Sequence, residues 1–368
     1  MGIRVENLHK SYGPEKVLDG LTLDIPDRSF FSIVAPTGAG KTTLLRILAG
    51  IEPLDSGTVY YDGEDVADRS VQERSIGMVY QEFVNYPPLT VWENLASPLR
   101  ASTNMSEEEI DRQVRETAEM LSIDHRLDNL PEEVSGGEAQ RTAISRALIT
   151  EPDYLFMDEP LANLDYKLRE ELRTEFERLF QELETTVLYA TPISGDALSM
   201  STHIGYLYDG KVLQDDVKDK IYYRPEHLPV ARYLGEPAMN ILPVTLVEEK
   251  TDRYFEFEDG VRISASAFGD LTPATQYELG FRPQDMKLEE EAAGLTIHPN
   301  LAFVETVGST STLHLEFQGE EIYALSGEPI DLGTGTTLSY ALDPNKLYVY
   351  DPDSGNLITT GDKIPSFS

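Results

Sequence analysis

The feature that most constrains this chain is a run of small residues between an apolar stretch and a helical pattern, at residues 32–45 (SIVAPTGAGKTTLL). The pattern predicts a buried strand, a glycine-bearing turn and the first turns of a helix. Small residues allow consecutive backbone N–H groups to surround a polyphosphate, and the positive end of the helix dipole adds to the attraction. We therefore predict a phosphate-binding loop, in which Lys41 reaches the β- and γ-phosphates and Thr42 offers its hydroxyl to Mg²⁺.

The loop residues that we expect to bind the nucleotide are Pro36, Thr37, Gly38, Ala39, Gly40, Lys41, Thr42 and Thr43. Ala35 stands where the motif G-x-x-x-x-G-K-[ST] has its first glycine. An alanine is acceptable there if its φ angle is below zero, because only positive φ angles favour glycine. A glycine-rich turn without a ligand is the alternative, but the flanking strand and helix are the context that the motif requires.

The composition indicates a globular chain and excludes several classes of site. The 368 residues include no cysteine, which excludes disulfides, thiolate metal ligands and a cysteine nucleophile. No apolar run is long enough to span a membrane, and the first residues lack the apolar region of a signal peptide, so we expect a cytoplasmic protein. The net charge of −35 argues against nucleic acid as a partner, because the nucleic-acid backbone is also negative.

The texture of the sequence changes near residue 236, which divides it into two predicted domains. Residues 1–235 alternate between strand patterns and helical patterns, which is typical of a parallel α/β core. Residues 236–368 contain short alternating segments separated by Gly, Pro and Asp, which predicts an all-β, OB-like barrel. The predicted fold is an α/β P-loop NTPase domain with antiparallel β and helical subdomains, followed by an all-β domain.

Two carboxylates follow a second buried strand. Residues 154–157 (YLFM) are apolar, and Asp158 and Glu159 come directly after them. Ligands bind at the carboxyl ends of parallel strands, so we expect both groups next to the phosphate loop. There Asp158 would hold Mg²⁺ through its water shell, and Glu159 would orient or deprotonate the water that attacks the γ-phosphate. The alternative is a simple loop cap, which is common for an acidic pair after a strand.

A second pair of glycines precedes a helical pattern at residues 135–141 (SGGEAQR). One nucleotide does not need two helix starts from one subunit, so we expect a dimer in which this segment covers the γ-phosphate bound by the other subunit. The residues that would do so are Ser135, Gly136, Gly137 and Glu138. A carboxylate near a phosphate is repulsive, so we interpret Glu138 as tolerated there, with its side chain pointing away. An ordinary capped helix start is the alternative.

Together these motifs resemble the ATPase subunit of an ABC transporter. They occur in the order of that family: the phosphate loop, Gln81, residues 135–138 (SGGE), residues 154–160 (YLFMDEP) and residues 161–165 (LANLD). The regulatory domain of the carbohydrate-uptake subfamily is similar at residues 279–283 (LGFRP), 305–309 (ETVGS) and 342–344 (LDP). The resemblance covers essentially the whole chain. It implies binding of ATP and Mg²⁺, ATP hydrolysis, and import of a carbohydrate, polyol or glycerol-phosphate-like solute through ATP-dependent dimer closure.

The resemblance also implies roles for residues outside the loop. Tyr12 is similar to the aromatic residue that stacks on adenine. Gln81 is similar to the residue that contacts Mg²⁺ and the attacking water, and residues 82–89 would then face the membrane subunits. Asp165 resembles the residue that communicates across the dimer. The alternatives are a rim tyrosine at Tyr12, a solvated turn at Gln81 and a helix N-cap at Asp165.

The chain departs from the family pattern at Pro192. The family has a histidine directly after a strand-end threonine, and this histidine donates to the γ-phosphate in the transition state; here Pro192 follows Thr191. Because proline has neither a side-chain donor nor an N–H, we expect hydrolysis at the chain's own site to be slower, by about a hundredfold or more. His203 comes a strand too late to substitute and is interpreted as an ordinary, partly exposed histidine.

The expected partners are transmembrane permease subunits, a second ATP-binding subunit and, indirectly, a solute-binding protein, with the chain peripheral on the inner face of the cell membrane. Pro192 favours a heterodimer with an intact ATPase over a homodimer. Two alternatives stay open: a soluble, non-transport ABC ATPase, and a regulatory subunit that binds ATP only to complete another subunit's site. The acidic surface and the β-rich second domain argue against the first. The retained Glu159 argues against the second.

Overall fold

The computed structural model describes residues 2–67, 69–82, 84–162, 164–250, 252–273, 275–288 and 296–365. The chain divides into two compact units, Met1–Lys218 and Asp219–Ser368. The elements of the first unit are β1 (Gly2–Tyr12), β2 (Glu15–Pro26), β3 (Phe30–Val34), α1 (Lys41–Leu48), β4 (Ser56–Tyr61), β5 (Glu64–Asp65), β6 (Ile76–Val79), α2 (Val91–Ser102), α3 (Glu107–Met120), α4 (Gly136–Leu148), β7 (Tyr154–Asp158), α5 (Tyr166–Glu182), β8 (Thr186–Thr191), α6 (Ser194–Met200), β9 (His203–Tyr208) and β10 (Lys211–Val217).

The centre of the first unit is a six-stranded sheet in the order β10-β9-β3-β8-β7-β6. The strands from β9 to β6 are parallel, and only β10 runs against its neighbour. Every residue of β3, β7 and β8 is buried, because continuous apolar runs are stable where helices cover both faces of a parallel sheet. The predicted parallel α/β core is therefore confirmed.

A second, antiparallel sheet has the order β2-β1-β4-β5. Its β4–β5 hairpin turns at Asp62 and Gly63, whose φ angles of 51° and 85° are typical of the tight turns that match strand twist. The helical part of the unit consists of α2, α3 and α4, which bury apolar side chains such as Leu95, Val114 and Ile144 against one another. Within the described residues, no helix is both long and apolar enough to cross a membrane.

Within its described residues, the second unit consists of β-strands, two short α-helices and two single-turn 3₁₀ helices, Pro283–Asp285 and Pro344–Lys346. Its elements are α7 (Lys218–Tyr223), α8 (Leu228–Ala231), β11 (Asn240–Glu249), β12 (Asp252–Glu256), β13 (Arg262–Ser264), β14 (Gln276–Phe281), β15 (Lys287–Leu288), β16 (Thr296–Ile297), β17 (Asn300–Val307), β18 (Thr310–Phe317), β19 (Glu320–Ser326), β20 (Tyr340–Ala341), β21 (Tyr348–Tyr350) and β22 (Leu357–Thr360). The described strands pair in antiparallel sheets of six, three and three, around a core that includes Phe255, Phe281 and Leu315. The predicted all-β character is confirmed.

The boundary between the units falls at Lys218, earlier than the boundary at residue 235 that the sequence predicts. The physical reason is that the connecting segment packs on the β-rich unit. The buried Arg282 donates through Nη1 to the carbonyl oxygen of Leu234 at 2.6 Å and through Nη2 to that of Tyr222. The hydroxyl of Tyr348 donates to the carbonyl oxygen of Tyr223 at 3.1 Å. The segment after Lys218 therefore belongs to the second unit.

Candidate functional site

The phosphate loop joins β3 to α1, as the sequence predicts. Ala35 is fully buried and is not among the residues with a positive φ angle, so an alanine in place of the motif glycine is not strained. Gly40 is the N-cap of α1 with a φ angle of 102°, and a Cβ atom there would lie only 2.8 Å from the side chain of Val17. Because glycine has no side chain to cap the helix, the first N–H groups of α1 are left for a ligand.

Lys41 places a buried positive charge in this loop. Its Nζ donates to the carbonyl oxygens of Ala35 at 2.9 Å and Pro36 at 3.1 Å, and lies 3.1 Å from Oε1 of Glu159. Three acceptors match the three hydrogens of an ammonium group. These acceptors hold the ammonium at the loop, where it can exchange them for phosphate oxygens.

Thr42 and Asp158 form a pair of oxygen groups beside Lys41. The hydroxyl of Thr42 donates to Oδ1 of Asp158 at 3.0 Å. Burial raises the pKa of Asp158, and the Thr42 hydroxyl opposes that rise. Within the described residues, no group of three or more His, Asp and Glu side chains is placed to hold a metal ion. The two oxygens fit Mg²⁺, which takes few protein ligands and completes its shell with phosphate and water oxygens.

Glu159 has a backbone conformation that is uncommon outside glycine. Its φ angle is 47°, and its N–H donates to the carbonyl oxygen of Ala190 on β8 at 2.9 Å. Such a conformation costs about 1–3 kcal/mol and persists only where the surrounding structure fixes it. The turn brings the Glu159 carboxylate to Lys41, and its side chain is only 10% exposed.

The ends of parallel strands bring Gln81 to the same edge of the sheet. Val79 at the end of β6 is in register with Met157 on β7. Gln81, two residues beyond β6, is exposed and lies on the edge where Asp158 and Glu159 follow β7. The register therefore puts Gln81 at the same end of the sheet as Asp158 and Glu159, and the grouping and roles of these three residues stay predictions.

Tyr12 ends β1 beside the start of α1. Its side chain is 45% exposed, its hydroxyl donates to the carboxylate of Glu52, and the hydroxyl of Thr43 is a second hydrogen-bond partner. Burial and the hydrogen bond to Glu52 raise the pKa of Tyr12. Nζ of Lys10 lies 5.2 Å from the ring centroid. These contacts place the tyrosine at the rim of the loop, as a residue that stacks on a base requires.

The predicted second helix start, residues 135–138, is closed by its own side chains. The backbone N–H of Glu138 donates to the hydroxyl of Ser135 at 3.3 Å, while the N–H and hydroxyl of Ser135 both donate to Oε2 of Glu138 at 2.8 Å. Gly136 and Gly137 open the helix, and a Cβ at Gly137 would lie 2.8 Å from the side chain of Leu168. The capped-helix alternative is therefore present in the structure, and it does not exclude contact with a second subunit.

Two basic side chains face the other oxygen of this carboxylate. Nε of Arg126 donates to Oε1 of Glu138 at 2.7 Å, and Nε2 of His125 lies 3.3 Å from the same atom. Burial would raise the pKa of Glu138, but the hydrogen bonds from Ser135 and Arg126 outweigh it and lower the pKa to about 2. Glu138 is therefore ionised at neutral pH.

Asp165 is the N-cap of α5, because its side chain accepts a hydrogen bond from the N–H of Leu168 at 3.0 Å. The alternative that the sequence left open for Asp165 is thus confirmed, and its role across a dimer stays a prediction. Asn163, the central residue of the motif at 161–165, lies outside the described residues.

The structure separates Pro192 from His203. Pro192 directly follows β8, whose last residue, Thr191, accepts a hydrogen bond from the N–H of Ala35 at 3.4 Å, so this position lies beside the loop. His203 begins β9 in register with Phe31, near the start of β3. β3 leads to the loop at its carboxyl end, after Val34. His203 lies level with the other end of β3, about 10 Å from the loop along the strand direction. Burial lowers the pKa of His203. The register of His203 agrees with the expectation that it does not replace the missing histidine, which stays a prediction.

Sequence reasoning missed several contacts of the site. It did not predict that Lys10 and Glu52 hold Tyr12, or that Arg126 pairs with Glu138. It also missed Asn85, whose Nδ2 donates to the carbonyl oxygen of Ala139 on α4 at 2.9 Å. No periodicity or motif links Glu52 to Tyr12, Arg126 to Glu138 or Asn85 to Ala139, because the two residues of each pair lie on different segments of the chain.

A family model for the ABC transporter matches residues 18–162, a range that contains the phosphate loop, Gln81, residues 135–138 and the Asp158–Glu159 pair. The xylose/arabinose import ATP-binding protein XacK of Haloferax volcanii is 35% identical over 348 residues, which cover 93% of this chain and 90% of XacK. The xylose/arabinose import ATP-binding protein XacJ, from the same organism, is 33% identical over 368 residues, which cover 97% of this chain and 95% of XacJ.

A solved structure supports the same assignment for the first unit. The dimeric ATP-binding cassette MJ0796, described as bound to ADP and Pi after hydrolysis, superposes with a TM-score of 0.54 at 31% identity. The superposition covers 59% of this chain and 98% of that cassette. The predicted resemblance is thereby confirmed along with the fold. This chain belongs to the ABC transporter family, among its ATP-binding subunits.

Proposed function

We propose that this chain powers an importer for a carbohydrate, polyol or glycerol-phosphate-like solute through ATP-dependent closure of a dimer of ATP-binding subunits. The observation that carries the proposal is the convergence of Lys41, Thr42, Asp158 and Glu159 at one edge of the parallel sheet. The relatives XacK and XacJ are named for xylose/arabinose import, which supports a sugar-like solute.

Binding of ATP is assigned to the loop and its rim. The N–H groups of residues 36–43 surround the β- and γ-phosphates, and the ammonium of Lys41 exchanges its carbonyl and carboxylate acceptors for phosphate oxygens. The exposed ring of Tyr12 stacks on the adenine, since its hydroxyl is already held by Glu52. Each of these contacts positions the triphosphate for attack at the γ-phosphorus.

Hydrolysis is assigned to the ends of β6 and β7. Thr42 and Asp158 would hold Mg²⁺, which would neutralise charge on the phosphates. Gln81 orients the attacking water from the neighbouring strand end. Glu159 accepts the proton of that water as the water oxygen bonds to the γ-phosphorus. The bond from the γ-phosphorus to the bridging β-phosphate oxygen breaks, so ADP leaves and inorganic phosphate is formed. The constrained turn at Glu159 fixes its carboxylate at this position.

A second subunit completes each site in this proposal. Residues 135–138 approach the γ-phosphate bound by the other subunit, and Asp165 lies at the start of a helix next to that contact. Closing and reopening of the two subunits moves the transmembrane permease subunits. A place at the inner face of the cell membrane, held by those subunits, follows from this role.

Pro192 favours a heterodimer as the form of this pair. A proline supplies no donor to the γ-phosphate, so the chain's own site splits ATP slowly, while its residues 135–138 complete the intact site of a second ATPase. XacJ and XacK, from one organism, are both named as ATP-binding proteins for xylose/arabinose import, which agrees with two different ATP-binding subunits that serve one kind of solute. A regulatory, weakly hydrolytic subunit is the second candidate function, and Pro192 is the observation that favours it.

The test measures binding and turnover separately. We expect the purified chain to bind MgATP in calorimetry, and to hydrolyse it about a hundredfold more slowly than its Pro192→His variant. Glu159→Gln in the Pro192→His background is the control, and it should abolish the gained turnover while binding is kept. No binding of MgATP would exclude the proposed function. Rapid turnover by the unaltered chain alone, lost in Glu159→Gln, would exclude the heterodimer.

A further inference from the structure

The start of α4 carries the negative charge of Glu138. The γ-phosphate of ATP bound by a second subunit is proposed to approach the same place. Glu138 is the third residue of the helix, and its Oε2 accepts both hydrogen bonds that Ser135 donates, at 2.8 Å each. The carboxylate therefore already uses the positive end of the helix dipole. Two anions that approach the same helix start repel each other strongly once water is excluded between subunits.

The structure divides the two oxygens of this carboxylate between different partners. Oε2 of Glu138 faces Ser135 in the capping box, whereas Oε1 accepts from Nε of Arg126 at 2.7 Å and lies 3.3 Å from Nε2 of His125. Both residues belong to one short turn, Asp124–Arg126, that precedes the helix in the chain. Because this turn also carries Asp124, it is the permanent cation of Arg126 that offsets the charge of Glu138 within its own subunit.

Arg126 is the partner that does so at every physiological pH. A guanidinium is always charged, whereas an imidazole is charged only when it is protonated. The side chain of Arg126 is 39% exposed and that of Glu138 is 17% exposed, so the pair is at the surface but partly shielded from water. A charge pair in this position loses the rest of its water when a second subunit covers it, which makes its neutrality more important.

We propose that Arg126 is a positioning residue of the composite ATP site, which neutralises Glu138 so that residues 135–138 can approach the γ-phosphate bound by a second subunit. The inference rests on the proposed function. Arg126 is not required for the capping box, because Ser135 and Glu138 form that box by themselves. The role of Arg126 is the charge balance of the helix start, and an uncharged amide at position 138 would make it unnecessary.

A double-mutant cycle tests this role in the assembled pair of ATP-binding subunits, either two copies of this chain or this chain with a second ATPase. ATP turnover of the pair should fall about tenfold or more in Arg126→Ala, because the exposed carboxylate then repels the phosphate. Glu138→Gln in the same chain should restore turnover to within about threefold of the unaltered pair. Arg126→Lys, which keeps the charge, should retain most of the turnover.

Arg115→Ala is the matched control, because Arg115 forms a similar 2.9 Å ion pair with Asp111 on α3 and should leave turnover unchanged. Binding of MgATP to each isolated variant is measured in parallel, and it should be unaltered because Lys41 and its loop are untouched. Failure of the unaltered chain to bind MgATP would overturn the proposed function together with this inference. Normal binding with no loss in Arg126→Ala, or a loss that Glu138→Gln does not rescue, would overturn this inference alone.

Discussion

Two helices of the first unit begin after small residues, but only α4 is capped by side chains, whereas α1 is not. α1 follows Gly40, which offers no side chain, and its first residue is the cation Lys41. α4 follows Ser135, and its first turn is closed by the reciprocal hydrogen bonds of Ser135 and Glu138. An uncapped start leaves N–H groups for an external anion, whereas a capping box supplies an internal anion.

The difference indicates how each helix start responds to a phosphate. At α1 a phosphate meets free N–H groups and an ammonium, so binding there requires no loss of a helix cap. At α4 a phosphate must share Ser135 with the Glu138 carboxylate, so the approach depends on how that charge is balanced. We conclude that the first start suits binding within one subunit, and the second suits a contact that forms only on assembly.

The largest effect is expected when the uncapped start of α1 loses its cation, Lys41. Lys41→Ala removes charge-assisted hydrogen bonds to the phosphates, so MgATP affinity should fall about a hundredfold or more, as measured by calorimetry. Lys16→Ala is the control, because Lys16 is 67% exposed and pairs with Asp19 on the surface. Equal affinity of Lys41→Ala and the unaltered chain would remove the distinction between the two helix starts.

The next effect concerns Glu138 at the capped start of α4, whose contribution to stability depends on pH. The folded-state pKa of Glu138 is about 2, below its ordinary value of 4.5, so this group stabilises the fold above about pH 4.5 and loses that contribution as the pH falls toward 2. Glu138→Gln cannot titrate, so the difference in urea unfolding free energy between it and the unaltered chain should shrink between pH 6 and pH 3. A difference that stays constant over this range would contradict the charge balance at α4.

A smaller effect is expected from removing the serine cap. Ser135→Ala should lower the unfolding free energy by about 1 kcal/mol, the usual effect of losing an N-cap. The control is Ser106→Ala, since Ser106 forms the same capping box with Glu109 on α3. Both variants should lose similar stability, but only Ser135→Ala should lower ATP turnover of the assembled pair. Equal turnover in the two variants would indicate that the box at α4 is purely structural.

The smallest effect is expected for the hydroxyl of Tyr12, at the rim of the phosphate loop before α1. Tyr12→Phe keeps the ring that stacks on adenine and loses only the hydroxyl contacts with Glu52 and Thr43. MgATP affinity should change by less than about threefold, because the hydroxyl bonds at this half-exposed site contribute little. A larger fall in calorimetric affinity would show that the hydroxyl, rather than the ring, carries the contact with the nucleotide.

The elements around the loop were predictable because their signals are local. The apolar run before the loop, the small residues in it and the helical pattern after it occupy adjacent positions at residues 32–45. The same holds for β7 and the two carboxylates at its end. The general rule that ligands bind at the carboxyl ends of parallel strands placed Asp158 and Glu159 near Lys41.

The remaining features depend on tertiary contacts that have no local signal. The left-handed turn of Glu159 is fixed by its hydrogen bond to β8, which is distant in sequence. The ion pair of Arg126 with Glu138 joins a short turn to a helix start twelve residues later. The unit boundary at Lys218 differs from the predicted boundary at residue 235 because the segment after Lys218 packs within the second unit, through contacts that have no local signal.

The packing of Arg282 determines how the two units can be separated by truncation. This guanidinium is 2% exposed and donates to the carbonyl oxygens of Tyr222 and Leu234, both of which precede the first strand of the second unit. A fragment beginning at residue 236 would lack both acceptors and leave the buried guanidinium of Arg282 without them, which is strongly destabilising. A fragment beginning at Asp219 keeps them. Protease cleavage that yields a stable carboxyl-terminal piece should therefore occur before this connecting segment rather than after it.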